Sequence, residues 1–163
     1  MAVKRKWEER EMRMLSEYLA RFQSFGRWLT RVRLGVIAPA ITGVDLSPEE
    51  LAMFEVTKRW ADAVGFYPDK VVIVEAAIRT HPGKISQLEL YARLFKVTHE
   101  FREYWHLPLE LWLLYAIEDP VLISMAREKG IRCLSYKPAW LPDYLALLMP
   151  RERRAPKPGM PLG

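Results

Sequence analysis

Asp62 and Glu75 lie at equal distances on either side of a Pro68-Asp69 turn signal, and two carboxylates brought opposite one another make a pair of hard oxygen ligands. Residues 60–66 and 71–78 are β-branched, aromatic or small, so the spacing predicts a two-strand hairpin about that turn. Directly opposed residues of an antiparallel pair have Cβ atoms roughly 4.5–5.5 Å apart. Like charges held that close repel unless a cation sits between them. Magnesium or manganese suits such a pair, because a hard divalent ion takes one or two carboxylates and fills its remaining positions with water and phosphate oxygens. Strand alternation sends Val71, Ile73, Glu75 and Ala77 to one face and Val72, Val74, Ala76 and Ile78 to the other. Ala77 is then the next side chain along from Glu75 on the carboxylate face.

The elements that must position this pair can be read around it. A leading helix is expected over about 6–25, where Met12, Leu15, Leu19 and Phe22 recur at helical spacing and Tyr18 and Phe25 widen the stripe. Residues 27–37 read as a first strand. Ser47-Pro48-Glu49-Glu50 is a helix start, with a serine cap, proline at the first position and a capping-box glutamate, leading into a short helix through Phe54. After the hairpin, Thr80-His81-Pro82-Gly83 leads into a helix that carries Gln87 and Tyr91 on one face. A strand over 109–117, a helix opened by Asp119-Pro120 and a strand over 131–136 follow. This alternation predicts an α/β (α+β) chain, a central mixed sheet with helices on both faces. One domain is expected over 1–149, ending in a helix of about 140–149, followed by a basic, proline-rich tail over 150–163.

These motifs resemble the PD-(D/E)XK nuclease superfamily, in which an acidic residue on one strand precedes an E-x-K on the next. Asp62 and Glu75-Ala76-Ala77 occupy those positions, and Gln87 with Tyr91 matches the Q-x-x-x-Y signature of its RecB-like branch. The resemblance spans residues 55–137 and rests on four positions. It implies a restriction-endonuclease-like core, a magnesium or manganese ion on Asp62 and Glu75, and DNA as partner. It also implies a glutamate from the leading helix joining the site, with Glu11 and Glu17 both available. The departure is Ala77, which stands where the family keeps its lysine, and a methyl group can neither activate water nor stabilise developing charge. Lys84, Arg79 and Lys58 are the nearby cations that could stand in. Arg79 is the weakest of them, because its guanidinium cannot act as a base.

The resemblance therefore implies a catalytically impaired, DNA-associated protein of phage or mobile-element type. Two alternatives stay open. One is an active metal-dependent DNA nuclease using Asp62, Glu75, Lys84, Gln87 and Tyr91. The other is a structural or adaptor protein of a virion or packaging assembly, with protein partners and an oligomeric state.

Composition sets the outer bounds. The chain has 163 residues, half of them hydrophobic, which excludes a disordered protein. No apolar run is long enough to span a bilayer, so no membrane partner and a cytoplasmic or virion location are expected. Charge is uneven: residues 1–33 hold nine Lys or Arg against four Glu, residues 34–149 twelve against fifteen acidic, and residues 150–163 four against one. Basic ends of this kind suit phosphate contacts. His81, His99, His106 and the single Cys133 lack zinc-site spacing, and Cys133 reads as a packing thiol in its strand. Of six tryptophans, Trp60 and Trp112 fall in strands and are expected in the core, while Trp7, Trp105 and Trp140 sit near element ends and could mark an interface.

Overall fold

The structure, a computed structural model, describes residues 2–35, 47–49 and 59–148. Helix α1 (Ala2–Phe22) leads into strands β1 (Arg27–Leu34), β2 (Arg59–Phe66) and β3 (Val71–Arg79). Helix α2 (Pro82–Phe95) and a 3-10 turn (His99–Tyr104) precede β4 (Leu109–Ile117), and α3 (Pro120–Glu128), β5 (Arg132–Ser135) and α4 (Leu141–Leu148) complete the order. The strands form one five-stranded mixed sheet in the order β1-β2-β3-β4-β5. The first two pairings are antiparallel and the last two parallel. Parallel neighbours need a crossover, and α2 and α3 supply the two required. The α+β class with helices on both faces of a mixed sheet is thus observed.

β3 is the central strand, and its apolar run reflects burial on both faces: every residue from Val71 to Ile78 is buried. On one face Val72, Val74, Ala76 and Ile78 pack with Met14, Leu15, Tyr18 and Leu19 of α1 and with Leu141 and Tyr144 of α4. On the other, Val71 and Ile73 pack with Ile85, Leu88, Tyr91 and Phe95 of α2 and Ala126 of α3. The β2–β3 turn is closed by the Tyr67 amide donating to the Lys70 carbonyl at 2.9 Å. Its register, Ala63 with Val74 and Val64 with Ile73, is the one expected from a turn centred on Pro68-Asp69.

Trp28 is set opposite Gly65 across the β1–β2 ladder and lies flat over it. A Cβ at residue 65 would come within 2.6 Å of the indole carbons. The ring cannot retreat easily, because its N–H donates to the Gln23 carbonyl at 3.2 Å and its other neighbours are the rings of Tyr67 and Trp112. Gly65→Ala is therefore expected to destabilise the protein by about 1–3 kcal/mol, as overpacking does. Urea unfolding checks this, and an unchanged midpoint would show that the indole shifts freely.

Several sequence expectations need correction. α1 ends at Phe22, so Phe25 does not extend the buried stripe; it is 99% exposed, and Phe22 is itself half exposed. Trp112 is buried as expected, but Trp60 is 58% exposed. Trp140 and Trp105 are partly buried rather than free interface aromatics. Trp140 donates to Glu17 at 2.8 Å and has the Arg10 and Arg13 guanidinium groups over its ring. The helix starting after Ser47 is seen at Pro48 and Glu49, while its continuation through Phe54 lies outside the described residues. So do Lys58, the side chain of Trp7, the end of the strand expected to reach residue 37 and the 150–163 tail. Cys133 is half-buried; burial pushes its thiol pKa up, which keeps the sulfur unreactive.

Candidate functional site

Strands β2 and β3 part at the site. Their ladder is regular from Phe66–Val71 to Ala63–Val74 and stops there, although β3 continues to pair with β4 and β2 with β1. In the gap, side chains replace the missing backbone partners. The Asp62 amide donates to Glu75 Oε1 at 3.1 Å, and the Ala76 amide donates to Asp62 Oδ2 at 2.9 Å. Glu11 from α1 reaches the same opening, its Oε2 3.9 Å from the Lys84 ammonium. Three carboxylates thus meet at the fork, and those of Asp62 and Glu75 hold backbone that the sheet has released.

A break in strand alternation accompanies the fork. Val64, Phe66 and Ala61 all pack on the α2 side, although Ala61 is an odd number of residues from Val64. In β1, Leu29, Val32 and Leu34 share that same face, with the same slip of phase. The residues between are Arg31 and Asp62, opposite each other in register between the pairs Thr30–Ala63 and Val32–Ala61. Arg31 has φ 52°, the one positive value at a non-glycine residue among the described residues. Such a conformation costs on the order of 1–3 kcal/mol and recurs where a site imposes it.

The cation at the fork comes from α2. A short connection from Arg79 puts Pro82 at the first helical position and Lys84 in the first turn, its amide donating to the His81 carbonyl at 3.0 Å. Its Nζ lies 2.9 Å from Glu75 Oε2, 3.7 Å from Asp62 Oδ2 and 3.9 Å from Glu11 Oε2. Gln87 and Tyr91 follow on the same helix face and line the same cavity, of about 500 Å³, together with Glu11, Arg31, Trp60, Asp62, Glu75 and Lys84. The Tyr91 hydroxyl donates to the Trp60 carbonyl at 2.9 Å and fixes the departing end of β2. Gln87 Oε1 is buried with no hydrogen-bond partner among the described residues.

All five residues expected at the site, Asp62, Glu75, Lys84, Gln87 and Tyr91, are therefore gathered around one cavity. Arg79 is exposed at the end of β3. Of the two leading-helix glutamates, Glu11 joins the site. Glu17 is tied to Arg13, Tyr136 and Trp140 instead. Arg31 and Trp60 were not anticipated as site residues, and nothing in their local sequence marks the phase slip that brings them there.

The electrostatics are unbalanced. Burial, reinforced by the charge of Asp62 and opposed by Lys84, pushes the Glu75 carboxyl up to about 7. Burial likewise raises Glu11 to about 7, with Lys84 pulling it down and Asp62 pushing it up. Burial alone would lower Lys84, but the charges of Glu75, Asp62 and Glu11 outweigh it and hold the ammonium above the ordinary lysine value. One cation thus serves three acids, and near pH 7 the two most buried acids hold protons for part of the time.

No protein-family model, curated protein or solved structure matches this chain. Functional inference therefore rests on the geometry of its own residues. Among the described residues no helix is long and apolar enough to cross a membrane.

Proposed function

We propose that the protein is a metal-dependent nuclease acting on DNA, with Lys84 serving where Ala77 has removed the strand lysine. The observation that carries this reading is the position of the Lys84 ammonium, 2.9 Å from Glu75 and 3.7 Å from Asp62 at the opening of the sheet. The resemblance to PD-(D/E)XK nucleases implies catalytic impairment because of residue 77; a lysine brought to the same carboxylates by the next helix supports the alternative of retained catalysis. The order of elements supports the restriction-endonuclease-like assignment, with Asp62 and Glu75 on neighbouring strands and Gln87 and Tyr91 on the helix that follows.

The donor set fits magnesium or manganese. Among the described residues no three His, Cys, Asp or Glu side chains gather within ligating distance. A cation here would take Asp62 and Glu75 and leave its other positions to water and phosphate, the manner in which magnesium is usually held. The shortage of positive charge around these acids favours such an ion. When bound, the ion would polarise a phosphodiester and lower the pKa of water.

The protein's own groups divide the remaining work. Lys84 stays protonated, so it stabilises charge developing on phosphate oxygens and does not act as a base. Glu11, with a pKa near neutrality and an edge on the cavity, is suited to accept a proton from attacking water. Tyr91 keeps the Asp62 strand in place through the Trp60 carbonyl.

Asp62→Asn tests the assignment cleanly, because the amide oxygen can still accept from the Ala76 N–H while the ligand charge is gone. Plasmid and single-stranded DNA should be cut in manganese or magnesium by the wild type, spared in EDTA, and spared by Asp62→Asn with an unchanged unfolding midpoint. Cleavage by Asp62→Asn at the wild-type rate would sink the proposal.

A further inference from the structure

The cavity mouth carries two groups that the hydrolytic chemistry leaves unused. Trp60 is 58% exposed, two residues from Asp62, and lines the cavity. Its exposure follows from the slip of phase in β2: Ala61 takes the inward position, and the indole turns outward. The Arg33 guanidinium lies 5.7 Å from the ring centroid and orients it. Arg31 is the second group. It is exposed, lines the same mouth, and makes no ion pair among the described residues, although the register sets it opposite Asp62. A strained backbone that holds an unneutralised guanidinium at an acidic cavity has no value for the packing of the apo protein. It does have value for a ligand that brings its own negative charge.

Resting on the nuclease reading, we propose that this mouth selects DNA with unpaired bases, one base stacking on Trp60 while Arg31 holds a neighbouring backbone phosphate. An indole face can receive a base only when that base is free of its partner strand, so the platform discriminates by strandedness rather than by sequence. Stacking on an aromatic side chain is tolerant of base identity, and an arginine beside it tracks the backbone, the combination by which single strands are gripped. The geometry then sets the phosphodiester next to the stacked nucleotide over Asp62, Glu75 and Lys84. Cutting is thereby directed to single strands, flaps or frayed ends.

Binding is measured in EDTA, so that no strand is cut, by anisotropy of a labelled single-stranded oligonucleotide and of a blunt duplex of the same sequence. The single strand is expected to bind more tightly. Trp60→Ala should weaken it about tenfold or more, Trp60→Phe should recover most of that loss, and both should leave duplex binding unchanged. Arg31→Gly accepts the positive φ while removing the charge. It should weaken single-strand binding and flatten its salt dependence by about one phosphate contact, roughly 0.7 in the log–log slope. Equal binding of duplex and single strand, no binding of either, or an unaltered Trp60→Ala would each overturn the inference. The nuclease reading is judged separately: Trp60-dependent binding without cleavage in magnesium or manganese would leave this inference standing and remove that reading. Metal-dependent cleavage indifferent to Trp60 would do the reverse.

Discussion

Lys84→Met should lower the rate of metal-dependent cleavage by about two to three orders of magnitude, the usual loss when a group stabilising transition-state charge is removed. Methionine keeps the unbranched stem and its packing up to the ammonium, so the deficit reports the charge. Its contact with Glu75, which is only 2% exposed, raises a folding concern, since breaking a buried pair costs roughly 3–5 kcal/mol when the remaining charge is stranded. Here the cost is limited because Glu75, already pushed up to about 7, takes a proton once its partner is gone. Single-turnover cleavage in manganese, alongside urea unfolding, separates the two effects. The double variant Lys84→Met with Glu75→Gln provides the control: it should regain stability and stay inactive. Lys84→Arg should recover only part of the rate, because a planar fork does not reproduce a point charge on a short reach. If Lys84→Met cuts as fast as wild type, the lysine is a counterion of the fold and nothing more.

The second large effect concerns stability and pH. Glu75 and Glu11 bind protons more tightly in the folded protein than their ordinary value of 4.5 allows, both rising to about 7. A raised carboxyl contributes stability that is complete below its unfolded pKa and is lost as pH climbs through its folded one. The metal-free protein should therefore be less stable at pH 8 than at pH 5, by about 2–3 kcal/mol for each group and about 5 kcal/mol for the two together. That corresponds to a melting temperature lower by about ten degrees or more, at roughly 2–4 °C per kcal/mol for a chain of this size. Lys84 does not titrate in this window, since its raised pKa keeps its contribution intact until strongly alkaline pH. His81, lowered by burial and by Lys84, works weakly in the opposite sense.

Magnesium or manganese at pH 8 should restore about 2.7 kcal/mol at a hundred times the dissociation constant. Glu75→Gln should flatten the pH profile and abolish the metal response. Thermal melts across pH 5–8 with and without the ion decide it. A metal-free protein that grows more stable toward pH 8, or a metal response that survives Glu75→Gln, would contradict the charge deficit described for this site.

Much of the site was legible because it depends on local rules. A turn centred on Pro68-Asp69 fixes the register of Asp62 and Glu75, and helical spacing alone sets Gln87 and Tyr91 on one face. The β-branched and small residues of 71–78 marked a strand carrying Glu75, while its central place in the sheet came only with the pairing to β4. What remained hidden depends on how elements cross. Glu11 and Glu17 lie on different faces of α1, and only the docking of that helix on the sheet decides which reaches the fork. Lys84 and Arg79 both carry a cation near the end of β3; the two-residue link between β3 and α2 brings Lys84 to the site and leaves Arg79 exposed. Trp60 read as a core residue because a tryptophan within a strand is expected to pack inward. The slip of phase at Arg31 and Asp62 broke that expectation, and an arginine at positive φ carries no local signature. Phe25 failed for a simpler reason: the apolar stripe continues past the last turn of α1, where no sheet remains beneath it.

The kink at Arg31 also bears on the chain's behaviour in company. β1 ends the sheet among the described strands, and a straight border strand offers its free amides and carbonyls to any other extended chain. β1 is bent in its middle and carries Arg27, Arg31 and Arg33 as exposed side chains, so a second strand could neither follow its line nor escape its charge. The same residue that strains the backbone at the cavity thus guards the protein against edge-to-edge aggregation at high concentration.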